Sequence, residues 1–314
     1  MRIAGVTVVR DEEDVVEASI RSNLRVLDVL VVLDHGSSDA TGAILASLAA
    51  EGLPIEIARD DALEYRPPDV TTRLVREALA RGADLCVPLE ADEFLRVPSR
   101  AALEAAAASS DPALPLAMPE VTCIPDFDAP GDIVARLARA KRLRRAGPVP
   151  HRVIVRRSFG DHPAAVLADD HRAVLPSAGA LPLRAALLDE AIASVAQVPV
   201  RGLDQYTAKV AVGHLSRLLG GSATSGASAR YQEAFEAIVA GRAPTRDGLA
   251  AIAASWGLPP GSDATAMPAD WVDDPFPADL ALRYTPSRPC APLARVLAFG
   301  ERVAAEIAAT TGGL

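Results

Sequence analysis

The chain has 314 residues, half of them apolar and 23% charged, with a formal net charge of −9. That length fits one α/β core with appendages, and that composition excludes a disordered or collagen-like chain. The acidic balance argues against the phosphate backbone of nucleic acid as a partner.

The first hundred residues alternate strand and helix. Ile3–Val9 is a β-branched run suited to a strand covered on both faces. Asp11–Leu24 places Val15, Val16, Ile20 and Leu24 at helical spacing behind acidic residues that suit a helix start. Val29–Leu33 reads as a second buried strand, followed by the turn Asp34-His35-Gly36-Ser37-Ser38 and a helix from Asp39 to Glu51. Ile55–Ala58 is a short third strand, and Val70–Arg81 is a helix closed by Gly82. Leu85–Leu89 is a fourth strand running straight into Glu90-Ala91-Asp92-Glu93-Phe94. Such alternation predicts parallel pairing through right-handed crossovers, with ligands beyond the carboxyl ends of the strands.

After Pro98 the pattern loosens. Ala101–Ala108 reads as a helix, Ala117–Ile124 and Val153–Val155 as strands, Pro125–Gly131 as an acidic loop, and the basic run Arg139–Arg145 as a solvated face. Leu203–Leu219, Ala229–Val239, Leu249–Ser255 and Leu293–Ala308 read as helices. Gly220–Gly226 suits a linker or hinge, and Pro259–Pro292 is rich in proline. The expected division is a catalytic domain over residues 1–180 and a mainly helical region over 181–314.

No uncharged apolar stretch reaches the roughly 18 residues of a membrane helix, and no basic segment followed by an apolar run opens the chain. Cys86, Cys123 and Cys290 form no CxxC pair, so a reducing cytoplasm is the expected location. Three acidic tips crowd the expected carboxyl edge: Arg10-Asp11-Glu12, Asp34-His35-Gly36-Ser37 and Glu90-Ala91-Asp92. Singly, each also reads as a capped turn. Two carboxylates separated by one residue at a strand end share a side, which suits a divalent Mg²⁺ or Mn²⁺ with open positions for a diphosphate. The other reading of the Glu90–Asp92 pair is an acidic loop capping the next segment. There is no GxGxxG loop after a strand, no Walker loop, no GxSxG elbow and no HExxH.

Three segments resemble the signatures of glycosyltransferase family 2, with its GT-A, Rossmann-like and mostly parallel sheet. They stand as Val9-Arg10-Asp11-Glu12-Glu13, as Asp34-His35-Gly36-Ser37-Ser38-Asp39-Ala40-Thr41, and as Glu90-Ala91-Asp92-Glu93-Phe94-Leu95. The segment Val198–Tyr206 with Lys209 resembles a downstream H-x-P-x-R-S-x-x-Q-(F/Y)-x-x-K motif. The resemblance implies a metal-assisted, inverting transfer of sugar from a nucleotide-diphosphate sugar to an acceptor hydroxyl. It implies a nucleotide site at Val9, Arg10, Glu12, Asp34, Arg73 and Ala91, and a metal at Glu90, Asp92 and His162, the last in a turn like the family's G-N-H. His151 and His171 stand in reserve.

Three departures from the pattern matter. Glu90 replaces an aspartate, His35 an asparagine and Gln197 a histidine, so Asp92 is the safer metal ligand and Gln197 supplies none. His35 suits either base contact or a satisfied turn. Asp161 is the first choice for the base that takes the acceptor's proton, with Asp126, Asp169 and Asp170 as alternatives. Arg73 suits either the nucleotide or an ion pair with Glu90 or Glu93. Two other functions are weighed: a non-catalytic nucleotide- or partner-binding protein on a degenerate GT-A scaffold, and a nucleotidyltransferase. The latter needs a Gly-rich basic loop that Val8–Glu13 does not offer.

Overall fold

The computed structural model describes residues 1–64, 67–144, 149–168, 171, 174–175, 184–219, 226–256, 270–277 and 279–311. In chain order the first half holds β1 (Ile3–Val9), α1 (Val16–Asn23), β2 (Val29–Asp34), α2 (Thr41–Ala50), β3 (Ile55–Arg59), α3 (Pro67–Ala80) and β4 (Leu85–Glu90). It continues with β5 (Glu93–Arg96), α4 (Arg100–Ser109), β6 (Leu116–Ile124), α5 (Ile133–Leu137), β7 (Lys141–Arg144) and β8 (His151–Arg156). A 3₁₀ turn at Arg157–Asp161 precedes β9 (Val166–Leu167), β10 (Val174–Leu175), β11 (Ala186–Leu187) and β12 (Ser194–Gln197). The remainder is α6 (Leu203–Leu219), α7 (Gly226–Val239), α8 (Arg246–Trp256), β13 (Asp270–Asp273) and α9 (Pro292–Thr311).

Alternation along the central strands builds two apolar layers. Ile3, Leu30, Leu85 and Leu89 pack with Ile20 of α1 and Leu45 and Leu48 of α2. Ala4, Val6, Leu33 and Cys86 pack with Leu74, Val75 and Leu79 of α3 on the opposite face. Burial on both faces explains the near-continuous apolar runs of β1, β2 and β4.

The main path of the eleven-stranded sheet is β13-β7-β6-β8-β4-β1-β2-β3. The core β3-β2-β1-β4 is parallel throughout, and β8 runs antiparallel between β4 and β6. Strands β11 and β12 lie parallel to β6, so most strands point the same way. This is the Rossmann-like α/β class that the sequence implies. The strands β11, β12 and β13 join the same sheet, which therefore continues past residue 180.

Two local differences have clear causes. The helix expected from Asp11 begins only at Val16, because Asp11 has a left-handed φ of 56° and Glu12 O receives the amides of both Val15 and Val16. The basic run near Arg139 contributes a strand: β7 pairs with β6 and β13, the latter from within the proline-rich stretch. Gly220–Ser225 of the expected hinge lie outside the described residues. Among the described residues no helix is long and apolar enough to cross a membrane.

Candidate active site

The loops after β1, β2 and β4 open at the carboxyl edge of the parallel core, as the topology requires. Those after β1 and β2 are stitched together: the Asp11 amide donates to Ser37 Oγ at 3.0 Å, and Asp11 Oδ1 accepts from the Ser38 amide at 2.7 Å. Asp34 Oδ1 accepts from the Ser37 amide and Oδ2 from Arg59 at 3.1 Å, so this carboxylate organises its own turn. His35 is buried and lies against the Arg10 guanidinium, which also donates to His35 O and Ser216 Oγ. Burial first, and the Arg10 charge next, hold its imidazole down to about 4. Of its two expected roles, His35 fills the satisfied turn.

Two buried arginines organise the acids. Arg201, with its side chain 0% exposed, reaches Glu12, Asp14 Oδ2 at 2.7 Å and Asp92 Oδ2 at 3.3 Å. Lys209 Nζ of α6 stands 2.9 Å from the same Asp92 oxygen. Burial pushes the Glu12 carboxyl up to about 7 against the pull of Arg201 and Lys209. Burial also opposes the charge of Asp14, but Arg201 outweighs it and lowers its pKa. Arg152 of β8 takes the second set: Glu93 Oε1 at 2.5 Å, Glu120 Oε2 at 3.0 Å and Glu90 Oε1 at 3.5 Å. Gln197 Nε2 donates to Glu90 Oε2 at 3.1 Å, so glutamine at this position orients a carboxylate. The side chain of Glu90 is 33% exposed, whereas those of Glu93 and Glu120 are fully buried.

The expected metal set is not assembled. Asp92 is 1% exposed and its Oδ2 is shared between two cations. Glu90 is held by Arg152 and Gln197. The turn carrying Asp161 and His162 follows β8, whose last residue Arg156 pairs with Leu85 at the start of β4. Because β8 is antiparallel, this turn lies at the amino end of the parallel strands. There Arg157 N donates to Asp84 O, and Arg76 of α3 donates to His162 O. Asp161 and His162 are therefore remote from Asp92, and the same antiparallel direction brings His151, at the start of β8, to the carboxyl edge. His171 is buried and its amide donates to Ala168 O. Among the described residues no three His, Cys, Asp or Glu side chains could hold a metal ion together.

Other expected residues separate likewise. Arg73 is half-exposed and pairs with Glu77 one helical turn away, reaching neither Glu90 nor Glu93. Val9 and Ala91 are packed in the core, so only their backbone can face a ligand. Asp126 follows β6 at the carboxyl edge, in a cleft of about 610 Å³ with Phe127, Arg139, Lys141, Arg246 and Trp271. Asp169 and Asp170 lie outside the described residues.

Sequence reading did not anticipate Arg152, Asp14 or Glu120 at this edge, nor the cover supplied by α9. Arg295 pairs with Glu13 at 2.8 Å and Asp39 at 3.0 Å, while Arg302 donates to Gly36 O and Asp61 O. Phe299 packs with Leu63 and Val212 beneath Arg10. The periodicity that announces α9 carries no sign of its target. Lys209 had a signal, being the last residue of the downstream motif.

No family model matches the chain, and no curated protein sequence matches it. Solved structures similar to it include glycosyltransferases. Residues 1–349 of TarS from S. aureus are 12% identical over 69% of this chain and 66% of that one, at a TM-score of 0.35. Of TarS as solved in a second structure, the chain covers 40%. The mannosyltransferase PcManGT from Pyrobaculum calidifontis, solved with GDP-Man and Mn²⁺, is 15% identical over 84% of this chain and 77% of that one, at a TM-score of 0.36. Glucosyl-3-phosphoglycerate synthase from Mycobacterium tuberculosis, solved with UDP, is 20% identical over 38% of this chain and 43% of that one, at a TM-score of 0.26.

Proposed function

We propose that the chain transfers a sugar from a nucleotide-diphosphate sugar to an acceptor hydroxyl. The observation that carries this reading is a convergence at one sheet edge. The loops after β1, β2 and β4 meet there, and the Val198–Lys209 segment is locked onto Asp92 across 109 residues of sequence. These are the four segments that resemble family 2 glycosyltransferases, and the carboxyl edge is where such sheets bind ligands.

In this reading Glu90, accessible and oriented by Arg152 and Gln197, accepts hydrogen bonds from the ribose hydroxyls of the donor. The loops of Val9, Arg10, Glu12, Asp34 and Ala91 frame the nucleotide, chiefly through backbone because their side chains are engaged within the protein. The cleft beyond β6 takes the acceptor, where Phe127 and Trp271 offer apolar faces beside charged groups. Asp126 then serves as the base. The Asp128 amide bonded to its carboxylate holds its pKa low, so it is ionised and can accept a proton. Inversion follows from the resemblance to family 2. Because Asp92 is already paired with two cations, this reading routes no step through a divalent ion.

A second reading, a nucleotide- or partner-binding protein without transfer, is favoured by α9 lying over Gly36. Thermal-shift measurements with UDP-, GDP- and dTDP-sugars, with and without Mn²⁺, followed by an assay of nucleoside diphosphate release, separate the two. Stabilisation by one donor series together with release on adding a hydroxyl acceptor is expected. Stabilisation without release under any acceptor favours the second reading, and no stabilisation by any donor overturns the nucleotide site.

A further inference from the structure

The Asp92 pair has a consequence for how a diphosphate is received at this edge. A lysine ammonium has three N–H donors. At Lys209 one is directed to Asp92 Oδ2 at 2.9 Å, and the ammonium lies 5.2 Å from the centre of the Trp256 ring. The side chain is 22% exposed, whereas that of Arg201 is 0% exposed and divided among Glu12, Asp14 and Asp92. Lys209 is thus the cation of this cluster that reaches solvent, fixed in place by a carboxylate and an aromatic face. It also keeps two N–H directions beyond its bond to Asp92. On the far side of the same carboxylate, Asp92 Oδ1 is buried and has no hydrogen-bond partner among the described residues. A divalent ion chelated by both oxygens of Asp92 would have to displace both cations from Oδ2, and Arg201 cannot withdraw without stranding Asp14 and Glu12 in the interior.

We infer that Lys209 takes the place of the divalent ion, binding the diphosphate of the donor directly, with Asp92 as its positioning partner. This rests on the proposed glycosyl transfer and adds to it the residue that receives the diphosphate in place of a metal. In the transfer, the bond between the donor's anomeric carbon and the diphosphate oxygen breaks, and its electron pair leaves with the diphosphate. The acceptor oxygen bonds that carbon, and the acceptor's proton passes to a carboxylate. Lys209 remains an ammonium throughout, donating hydrogen bonds to the phosphate oxygens on which negative charge grows. A preorganised ammonium meets that charge without releasing metal-bound water.

The test is calorimetry of the full chain with UDP and GDP in excess EDTA and in Mn²⁺, alongside Mn²⁺ titration followed by electron paramagnetic resonance. The wild-type protein is expected to bind one nucleotide with affinities within about threefold in the two conditions. Lys209→Ala should weaken that binding at least tenfold in EDTA while the circular dichroism spectrum is unchanged. Lys209→Arg should restore part of it. Lys209→Ala should also bind Mn²⁺ more tightly than wild type, because the ammonium no longer repels a second cation at Asp92. Nucleotide binding by the wild type that disappears in EDTA overturns the inference and leaves glycosyl transfer standing. Unchanged affinity in Lys209→Ala also overturns it. Failure of the wild type to bind either nucleotide in both conditions overturns the inference and the proposed nucleotide site together.

Discussion

His35 illustrates how one buried side chain sets the acid limit of this sheet edge. In the unfolded chain its imidazole takes a proton near pH 6.5, but burial and the Arg10 charge hold it neutral in the fold until about pH 4. Between those values the unfolded state binds more protons, so folding stability contributed by the neutral ring is complete above pH 6.5 and lost as pH falls toward 4. The loss amounts to roughly 3 kcal/mol at most. His35→Asn, which cannot titrate, should therefore show a shallower fall in melting temperature between pH 6.5 and 4 than wild type. Parallel curves for the two proteins would mean that the imidazole does not control this transition.

At the scale of elements, α9 is attached by a few specific contacts rather than by a broad apolar face. Phe299 is 3% exposed and sits in a small cluster with Leu63 and Val212, while Leu293, Leu297 and Ile307 on the same helix are exposed. Phe299→Ala removes the largest apolar anchor and should cost about 3 kcal/mol, the lower end for a buried phenylalanine, because the cluster is small. Limited proteolysis should then cut within α9 sooner than in wild type, with the sheet core still protected. Unchanged cleavage kinetics would show that Arg295 and Arg302 hold the helix unaided. The same contacts explain why α9 was legible as a helix from its spacing but not as a cover. Arg302 finds its partners, Gly36 O and Asp61 O, only when the chain has folded back 266 and 241 residues.

At the scale of the whole molecule, Arg201 joins the loop after β1, the loop after β4 and the entry to α6 through one guanidinium. Arg201→Met removes that charge and leaves Glu12 and Asp14 buried without their partner, which should cost about 3–5 kcal/mol. The defect should be smaller at pH 5 than at pH 7.5. Carboxylates without a cation hold protons more tightly in the folded than in the unfolded state, and stability from such groups rises as pH falls. Urea midpoints of both proteins at the two pH values check this. Equal deficits at both pH values would mean that the acids find other partners.

The sequence by itself determined the parallel core and its chemistry-bearing edge. Buried strands such as Ile3–Val9 and Leu85–Glu90 carry their identity in local composition, and strand-helix alternation then fixes where their loops emerge. Glu12, Asp34, Glu90 and Asp92 were found in this way, and the motif ending at Lys209 was visible as a pattern. Tertiary structure alone decided what those acids meet. Whether Asp92 faces a metal or a cation of the chain depends on Arg201 and Lys209, whose distance in sequence carries no geometric information. The distance of Asp161 and His162 from this edge has the same origin. A strand's direction depends on which neighbour it pairs with, and the antiparallel pairing of β8 with β4 sends the following turn to the opposite edge. Local sequence encodes which residues form a strand, but long-range pairing decides which end of the sheet that strand delivers its residues to.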